Sequence, residues 1–162
     1  MAFRIEPATE ADVPLILRMI RSLGEYEKLS HEVVATEAKL REGLFGRRRY
    51  AEVVIGYAGD EPAGFALFFH NFSTFLSAPG LYLEDLFVEP KWRGHGLGRL
   101  LLTHLARIAV GRGCGRMEWS VLDWNDPAIG FYKRLGATPL EDWTVFRLTG
   151  DTLTSLGDSH GG

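Results

Sequence analysis

The chain has one cysteine in 162 residues, Cys114, so no disulfide can close within it and nothing in it calls for an oxidising compartment. No apolar run approaches the roughly 20 residues that a membrane-spanning helix needs. The first residues, Met1-Ala2-Phe3-Arg4-Ile5, run straight into structured pattern without a signal-peptide core, and a cytoplasmic location is the expectation. Charge of one sign is scarce as well. The formal net charge is −3, which provides no field to draw the protein to nucleic acid or to an anionic membrane. The one basic run, Arg47-Arg48-Arg49, is too short and lacks the interleaved aromatics of a nucleic-acid groove. His31, His70, His95, His104 and His160 are scattered without metal-ligand spacing, so no metal is expected. Cys114 has no histidine beside it in sequence, which argues against a cysteine nucleophile.

What is present is the pattern of one α/β domain. Phe3 to Glu6 alternates as a strand that Pro7 ends, and Thr9-Glu10-Ala11-Asp12 reads as a helix N-terminus. Val13, Ile16, Leu17 and Ile20 then share one helical face, and a second helix is expected from Thr36 to Gly43 or Gly46. Strands are expected over 50–57, 63–69 and 81–88, the first two as an antiparallel hairpin turned at Gly59-Asp60, with 70–80 a loop. A helix over 97–110, a strand over 117–122, a short helix over 127–135 and a last strand over 144–148 complete the reading. The expected architecture is an α/β mixed sheet, mainly antiparallel, with a parallel strand–helix–strand unit. Residues 1–150 form the domain, and 151–162 are a short C-terminal tail that ends in the polar Ser159-His160-Gly161-Gly162.

The most informative segment joins the strand ending at Val88 to the Leu-rich helix: Glu89-Pro90-Lys91-Trp92-Arg93-Gly94-His95-Gly96-Leu97-Gly98-Arg99. A helix N-terminus here aims free amides and a positive dipole end at one point. Gly94, Gly96 and Gly98 let backbone approach a diphosphate, while Arg93 and Arg99 bring charge to the rim. No G-x-x-x-x-G-K-[ST] run exists, which excludes a P-loop. The pattern R-x-x-G-x-G lies late in the chain after an antiparallel hairpin, where a dinucleotide fold would place its G-x-G-x-x-G after the first strand.

Arg93-x-x-Gly96-x-Gly98 followed by a Leu-rich helix resembles the acetyl-CoA motif of the GNAT N-acetyltransferase family. Leu81-Tyr82-Leu83-Glu84-Asp85-Leu86-Phe87-Val88, the glycine turn, and the run from Trp124-Asn125-Asp126-Pro127 through Phe131-Tyr132-Lys133-Arg134 to Gly136-Ala137 resemble the spermidine/spermine and thialysine branch. The opening Arg4-Ile5-Glu6-Pro7-Ala8-Thr9 and the pair Tyr26-Glu27 fit the same branch, so the resemblance covers residues 3 to 148. It implies that acetyl-CoA is the co-substrate. Its pantetheine arm would lie along the amides of Leu86, Phe87 and Val88, freed by a bulge. Its diphosphate would fall on Arg93, Gly94, His95, Gly96, Leu97, Gly98 and Arg99, and Asn125, Asp126, Pro127 and Ala128 would line the groove. Asn125-Asp126-Pro127 equally suits a plain helix cap, and both readings can hold together. The resemblance also implies a homodimer whose cleft borrows residues from the neighbouring chain.

An aliphatic amine has a pKa of about 10 and is protonated at neutral pH, so acetyl transfer needs a base, a site for the neutral amine and an acid for the leaving thiolate. Tyr132 matches the family's acid, with Lys133 and Arg134 beside it, and Glu84 is the expected base, acting through a water. Adjacent strand residues point to opposite faces, so Glu84 and Asp85 cannot both face a substrate unless a bulge intervenes. Asp85 is then a substrate contact or an ion-pair partner. Tyr26 and Glu27, with Glu84, would make an anionic cleft for a cationic amine. The segment Ser73-Thr74-Phe75 resembles the Ser-Thr-Trp of the thialysine branch and lacks the acid of the polyamine branch, which shifts weight to a thialysine-like amino acid or a short diamine. Two other readings stay open: an acyl-CoA sensor without turnover, and an acetyltransferase of a protein lysine or N-terminus.

Overall fold

Period-two apolar segments and period-3.6 apolar faces sort this chain into strands and helices, and a computed structural model describes residues 2–159. The strands are β1 (Phe3–Pro7), β2 (Glu52–Ala58), β3 (Glu61–Ser73), β4 (Ala78–Val88) and β5 (Arg116–Trp119), in the order β1-β2-β3-β4-β5. Neighbours are antiparallel except β4 and β5, which are parallel, so the expected mixed α/β sheet is what forms. The helices are α1 (Val13–Tyr26), α2 (Glu37–Phe45), α3 (Leu97–Gly111), α4 (Asp126–Arg134) and α5 (Gly150–Asp158). The chain divides into two compact units, Met1–Leu122 with the sheet and α1 to α3, and Asp123–Gly162 with α4 and α5.

In the first unit each helix begins where its sequence offers a cap. The Thr9 amide donates to Asp12 Oδ2 at 2.7 Å across the 3-10 turn Glu10–Asp12 that leads into α1. Thr36 caps α2 by accepting from the Lys39 amide, and Gly46 ends it. Ile16, Met19 and Leu23 of α1 and Leu44 of α2 bury one sheet face against Val53, Ile55, Phe65, Leu67 and Phe87. On the other face Gly56 and Gly64 let Leu97 of α3 come close, and the interior Leu101 and Leu105 of α3 are fully buried.

Three elements differ from the sequence expectation. The segment 70–80 is mostly strand, because β3 and β4 stay paired out to Ser73↔Ala78 and leave only Thr74 to Ser77 as the turn. The Pro79-Gly80 step does not break β4, since Pro79 contributes its carbonyl, which accepts from the Gly115 amide at 2.9 Å. Residues 144–148 form no strand. Val145 is 84% and Phe146 92% exposed, and an isolated strand without a neighbouring edge has nothing to stabilise it. Residues 151–158, expected as tail, belong to the helix α5 (Gly150–Asp158), and His160 to Gly162 lie outside the described residues.

A Cβ added at Gly64 would meet the Phe87 carbonyl oxygen at 2.5 Å and Leu97 Cδ2 at 3.2 Å. Backbone cannot yield as a side-chain tip can. Gly64→Ala is expected to cost about 1–3 kcal/mol in stability, read as a lower midpoint in urea unfolding.

Candidate active site

Consecutive residues Leu67 and Phe68 of β3 face Asp85 and Leu83 of β4, so Glu84 is an extra residue without a partner, a β-bulge. The bulge reverses the parity of β4. Leu81 and Leu83 share the Phe68 face on which α3 packs, whereas Asp85 and Phe87 share the Leu67 and Phe65 face covered by α1 and α2. The same point ends the pairing with β5, which reaches only from Gly80 to Leu83. Beyond it, β4 has β3 on one side and no strand on the other among the described residues.

The bulge brings together the acids that the sequence suggested. Tyr26 closes α1, and Glu27 is its C-cap, followed by Lys28 in the left-handed region (φ 62°). Glu84 is exposed, while Asp85 and Glu27 are partly buried. Burial pushes the Asp85 carboxyl up to about 7, with the negative charges of Glu84 and Glu27 adding to it. Glu27 is raised above its ordinary value by burial and then by Glu84. Asp85 has no ion pair among the described residues. Arg93, in the turn that follows β4, is engaged elsewhere: its guanidinium lies 4.7 Å from the Tyr26 ring centroid and 5.5 Å from that of Phe87, and its Nε donates to the Val88 carbonyl at 2.9 Å.

Past Val88 the chain turns through a 3-10 segment, Pro90–Trp92, into the glycine turn. Gly94 (φ 79°) and Gly96 (φ 89°) are left-handed, and a Cβ at either would meet nothing within 4 Å, so the glycines serve conformation and leave open space in front of the backbone. Gly96 is the N-cap of α3, which has no side-chain cap, leaving the first amides of the helix available to an anion. These features fit a diphosphate. The side chains of Phe87 and Leu97 are buried in the core, so any part they take in holding a ligand falls to their backbone. Sequence reasoning passed over Trp92, whose ring meets those of Phe3 and His95 edge-on at 6.2 and 6.3 Å, and Glu89, whose amide donates to the Ala63 carbonyl. Both anchor the turn; the only signal in the sequence was their place within it.

In the second unit Asn125 is 7% exposed, and its Oδ1 accepts from the Ala128 amide as N-cap of α4, with Pro127 in the first turn after Asp126. The cap is therefore realised. Tyr132 lies on α4 with its ring 5.6 Å from that of Phe131, and Lys133 and Arg134 occupy the last turn, where positive charge suits the helix dipole.

Residues 18–137 match the acetyltransferase (GNAT) family. The chain belongs to that family. Among curated GNAT relatives, thialysine N-epsilon-acetyltransferase of Bos taurus is 38% identical over 168 residues, spanning 96% of this chain and 98% of the relative. L-ornithine N5-acetyltransferase of Arabidopsis thaliana is 34% identical over 201 residues, spanning 96% and 88%. Of solved structures, an integron cassette protein of V. cholerae superposes with a TM-score of 0.83 at 27% identity, covering 98% of this chain and 99% of that one. A soil-metagenome aminoglycoside acetyltransferase, with a TM-score of 0.77 at 19% identity over 92% and 97% of the two chains, shares the fold. No described helix of this GNAT protein is long and apolar enough to cross a membrane, and no cluster of histidine, cysteine, aspartate or glutamate among the described residues has the grouping to hold a metal.

The acids carry a stability cost with a definite sign. Asp85 holds its proton more tightly in the fold than in the unfolded chain, so its penalty is absent below the ordinary value of 3.8 and complete above about 7. Asp85→Asn is expected to stabilise the protein at pH 8 by on the order of 2 kcal/mol, after allowance for solvent screening, and by far less at pH 4. Urea unfolding at the two pH values checks this; a loss of stability at pH 8 would show that Asp85 has a cationic partner.

Proposed function

We propose that this GNAT protein transfers the acetyl group of acetyl-CoA to a primary amine of a small molecule, a thialysine-like amino acid or a short diamine. The observation that carries the reading is an acidic cluster without an ion pair among the described residues: Glu84 and Asp85 at the bulge of the strand that leads into the left-handed glycine turn, with Glu27 from the end of α1. Acids without cationic partners are costly to keep, and a cationic substrate is what makes them useful. The backbone of Leu86, Phe87 and Val88 and the turn from Arg93 to Arg99 would hold acetyl-CoA, and the family resemblance assigns Asn125, Asp126, Pro127 and Ala128 to the same co-substrate. The co-substrate supplies an acetyl group already activated as a thioester.

The chain's own groups then have three tasks. The acidic cluster draws the ammonium in and takes a proton from it. Tyr26 shapes the cleft, its ring fixed by the Arg93 guanidinium. Tyr132 gives a proton to the departing sulfur, a suitable donor because phenol and thiol pKa values lie within about 2 units. The named activities of the relatives support an amino-acid substrate: thialysine and ornithine each carry a side-chain ammonium, whereas a spermidine/spermine acetyltransferase-like protein of Homo sapiens is 30% identical. The hairpin tip adds to this, since Ser73-Thr74-Phe75 provides no acid for a distal ammonium. A homodimer belongs to the same reading, supported by large apolar side chains left uncovered in one copy, among them Phe75 at 101% and Trp143 at 77% exposure.

Thiol release from acetyl-CoA is expected with thialysine, ornithine or a short diamine, and weakly or not at all with spermidine or a lysine peptide. Tyr132→Phe is expected to lower kcat about 100-fold or more with little change in the KM for amine. Tight acetyl-CoA binding without turnover on any amine would favour a sensor, and preference for the peptide would favour a protein acetyltransferase. Light scattering is expected to return twice the mass of a single chain; a monomer at micromolar concentration would remove the dimer.

A further inference from the structure

The cluster on the bulge holds two adjacent carboxylates, and the geometry distinguishes them. Glu84 is the unpaired residue of the bulge, exposed, on a flexible side chain. Asp85 is in register with Leu67, two residues from the buried Phe87 on the same face, and has one fewer rotatable bond. A group that must take a proton from a docked ammonium benefits from a fixed position, and strand pairing gives that to Asp85. We propose that Asp85, rather than Glu84, accepts the proton from the bound ammonium, while Glu84 and Glu27 act as positioning charges that draw the ammonium in. This inference rests on the amine-acetylation reading above.

The surroundings of Asp85 are consistent on every side. On its own strand the charged neighbour is Glu84; from the end of α1 it is Glu27; across on β3 it faces the apolar Leu67. The guanidinium of Arg93 is taken up by Tyr26, Phe87 and the Val88 carbonyl. Burial and the two acids push Asp85 up to about 7. In the free protein this makes Asp85 a stronger proton acceptor than an ordinary carboxylate, which narrows the gap to an aliphatic ammonium. Docking of the ammonium favours the ionised carboxylate, so the base is deprotonated when the substrate is in place.

The protons balance. The ammonium gives one proton to an Asp85 carboxylate oxygen, which frees the nitrogen lone pair. Nitrogen bonds to the acetyl carbon as the carbon–sulfur bond breaks, and the bond pair stays on sulfur. A second nitrogen proton is lost to solvent as the amide forms, sulfur takes its proton from Tyr132, and Tyr132 is reprotonated from solvent. Asp85 then returns its own proton to water on the exposed Glu84 side, so the sum is one acetamide, one thiol and one proton released.

The test compares pH profiles of thiol release for wild type, Asp85→Asn and Glu84→Gln, each with the preferred amine and with a difluorinated counterpart that is largely neutral at about pH 8. Asp85→Asn is expected to lose about 100-fold to 1,000-fold in kcat on the ordinary amine and less than about 10-fold on the fluorinated one, since the latter arrives without the proton to be removed. Glu84→Gln is expected to lose about 10-fold in kcat/KM, mainly through KM. Its acidic limb moves below the wild-type position near pH 7, because one of the charges raising Asp85 is gone. Equal losses on both amines in Asp85→Asn would reduce Asp85 to a binding contact and overturn the proposal. Loss of turnover and of the acidic limb in Glu84→Gln, with both kept in Asp85→Asn, would give the role to Glu84. Calorimetric titration of acetyl-CoA into each variant confirms that the fold and the glycine turn are intact. Wild type that turns over no amine would remove the acetylation reading itself and this proposal with it, whereas turnover that ignores Asp85→Asn removes the proposal alone.

Discussion

One extra residue in one strand sets the chemistry of the first unit. With regular pairing, the odd residues of β4 would share a face from Leu81 to Phe87, and Asp85 would be pressed against Leu97, Leu101 and Leu105 of α3. An unpaired carboxylate there would be costly enough to threaten the fold. Inserting Glu84 as a bulge lets Leu81 and Leu83 fill the α3 face and Phe87 fill the α1/α2 face, and it leaves Asp85 at the margin beside Glu27. The same residue ends the ladder with β5 and frees the edge of β4 just before the glycine turn. Apolar segregation, acid clustering and an open strand edge are thus three results of a single register shift.

The electrostatic state of that margin follows from what is withheld from it. Glu52 shows the alternative: Arg112 grips it with two hydrogen bonds, at 2.6 and 2.9 Å, and its carboxyl is held below the usual range. Asp85 is the same kind of group in the opposite surroundings, desolvated and facing two acids, and its proton affinity moves the other way. Even α1 contributes, because it ends in Glu25, Tyr26 and Glu27 with no basic residue in its last turn, contrary to what the helix dipole favours. Local rules broken together at one place are what the proposed reading, a site for a cationic substrate, accounts for.

Much of this was legible in the sequence, and the rest was not for physical reasons. Period-two and period-3.6 patterns placed β1 to β5 and α1 to α4, and the glycine spacing located the turn into α3, because those signals are local. Glu84 and Asp85 stood out as acids in an apolar strand, but which one would be shielded depended on the bulge, and a bulge is a property of two strands in register. The length of the β3–β4 hairpin was hidden because Pro79-Gly80 carries the local mark of a turn, and it takes the pairing with β3 out to Ser73↔Ala78 and the Gly115 amide donating to the Pro79 carbonyl to show that the strand continues. The 144–148 segment failed in the opposite sense: Val145, Phe146 and Leu148 have strand-like side chains, but a strand requires an edge that propensity cannot supply.

In the proposed reaction, the spacing between Asp85 and the glycine turn is set by β3. Gly64 accepts the close approach of Leu97 at the start of α3, and three residues further along the same strand Leu67 faces Asp85. At about 3.3 Å per residue, that places the seat of the helix and the register partner of the acid roughly 10 Å apart along a rigid, fully paired strand. The Glu89 amide bonds back to the Ala63 carbonyl beside Gly64, so the chain leaving β4 is fastened to β3 before it enters the turn. Neither end can shift without breaking ladder hydrogen bonds or opening the core around Phe65. An enzyme that must hold a bulky co-substrate at one point and remove a proton at another needs that distance settled before either ligand arrives. Here the ruler is a strand that contributes no catalytic side chain.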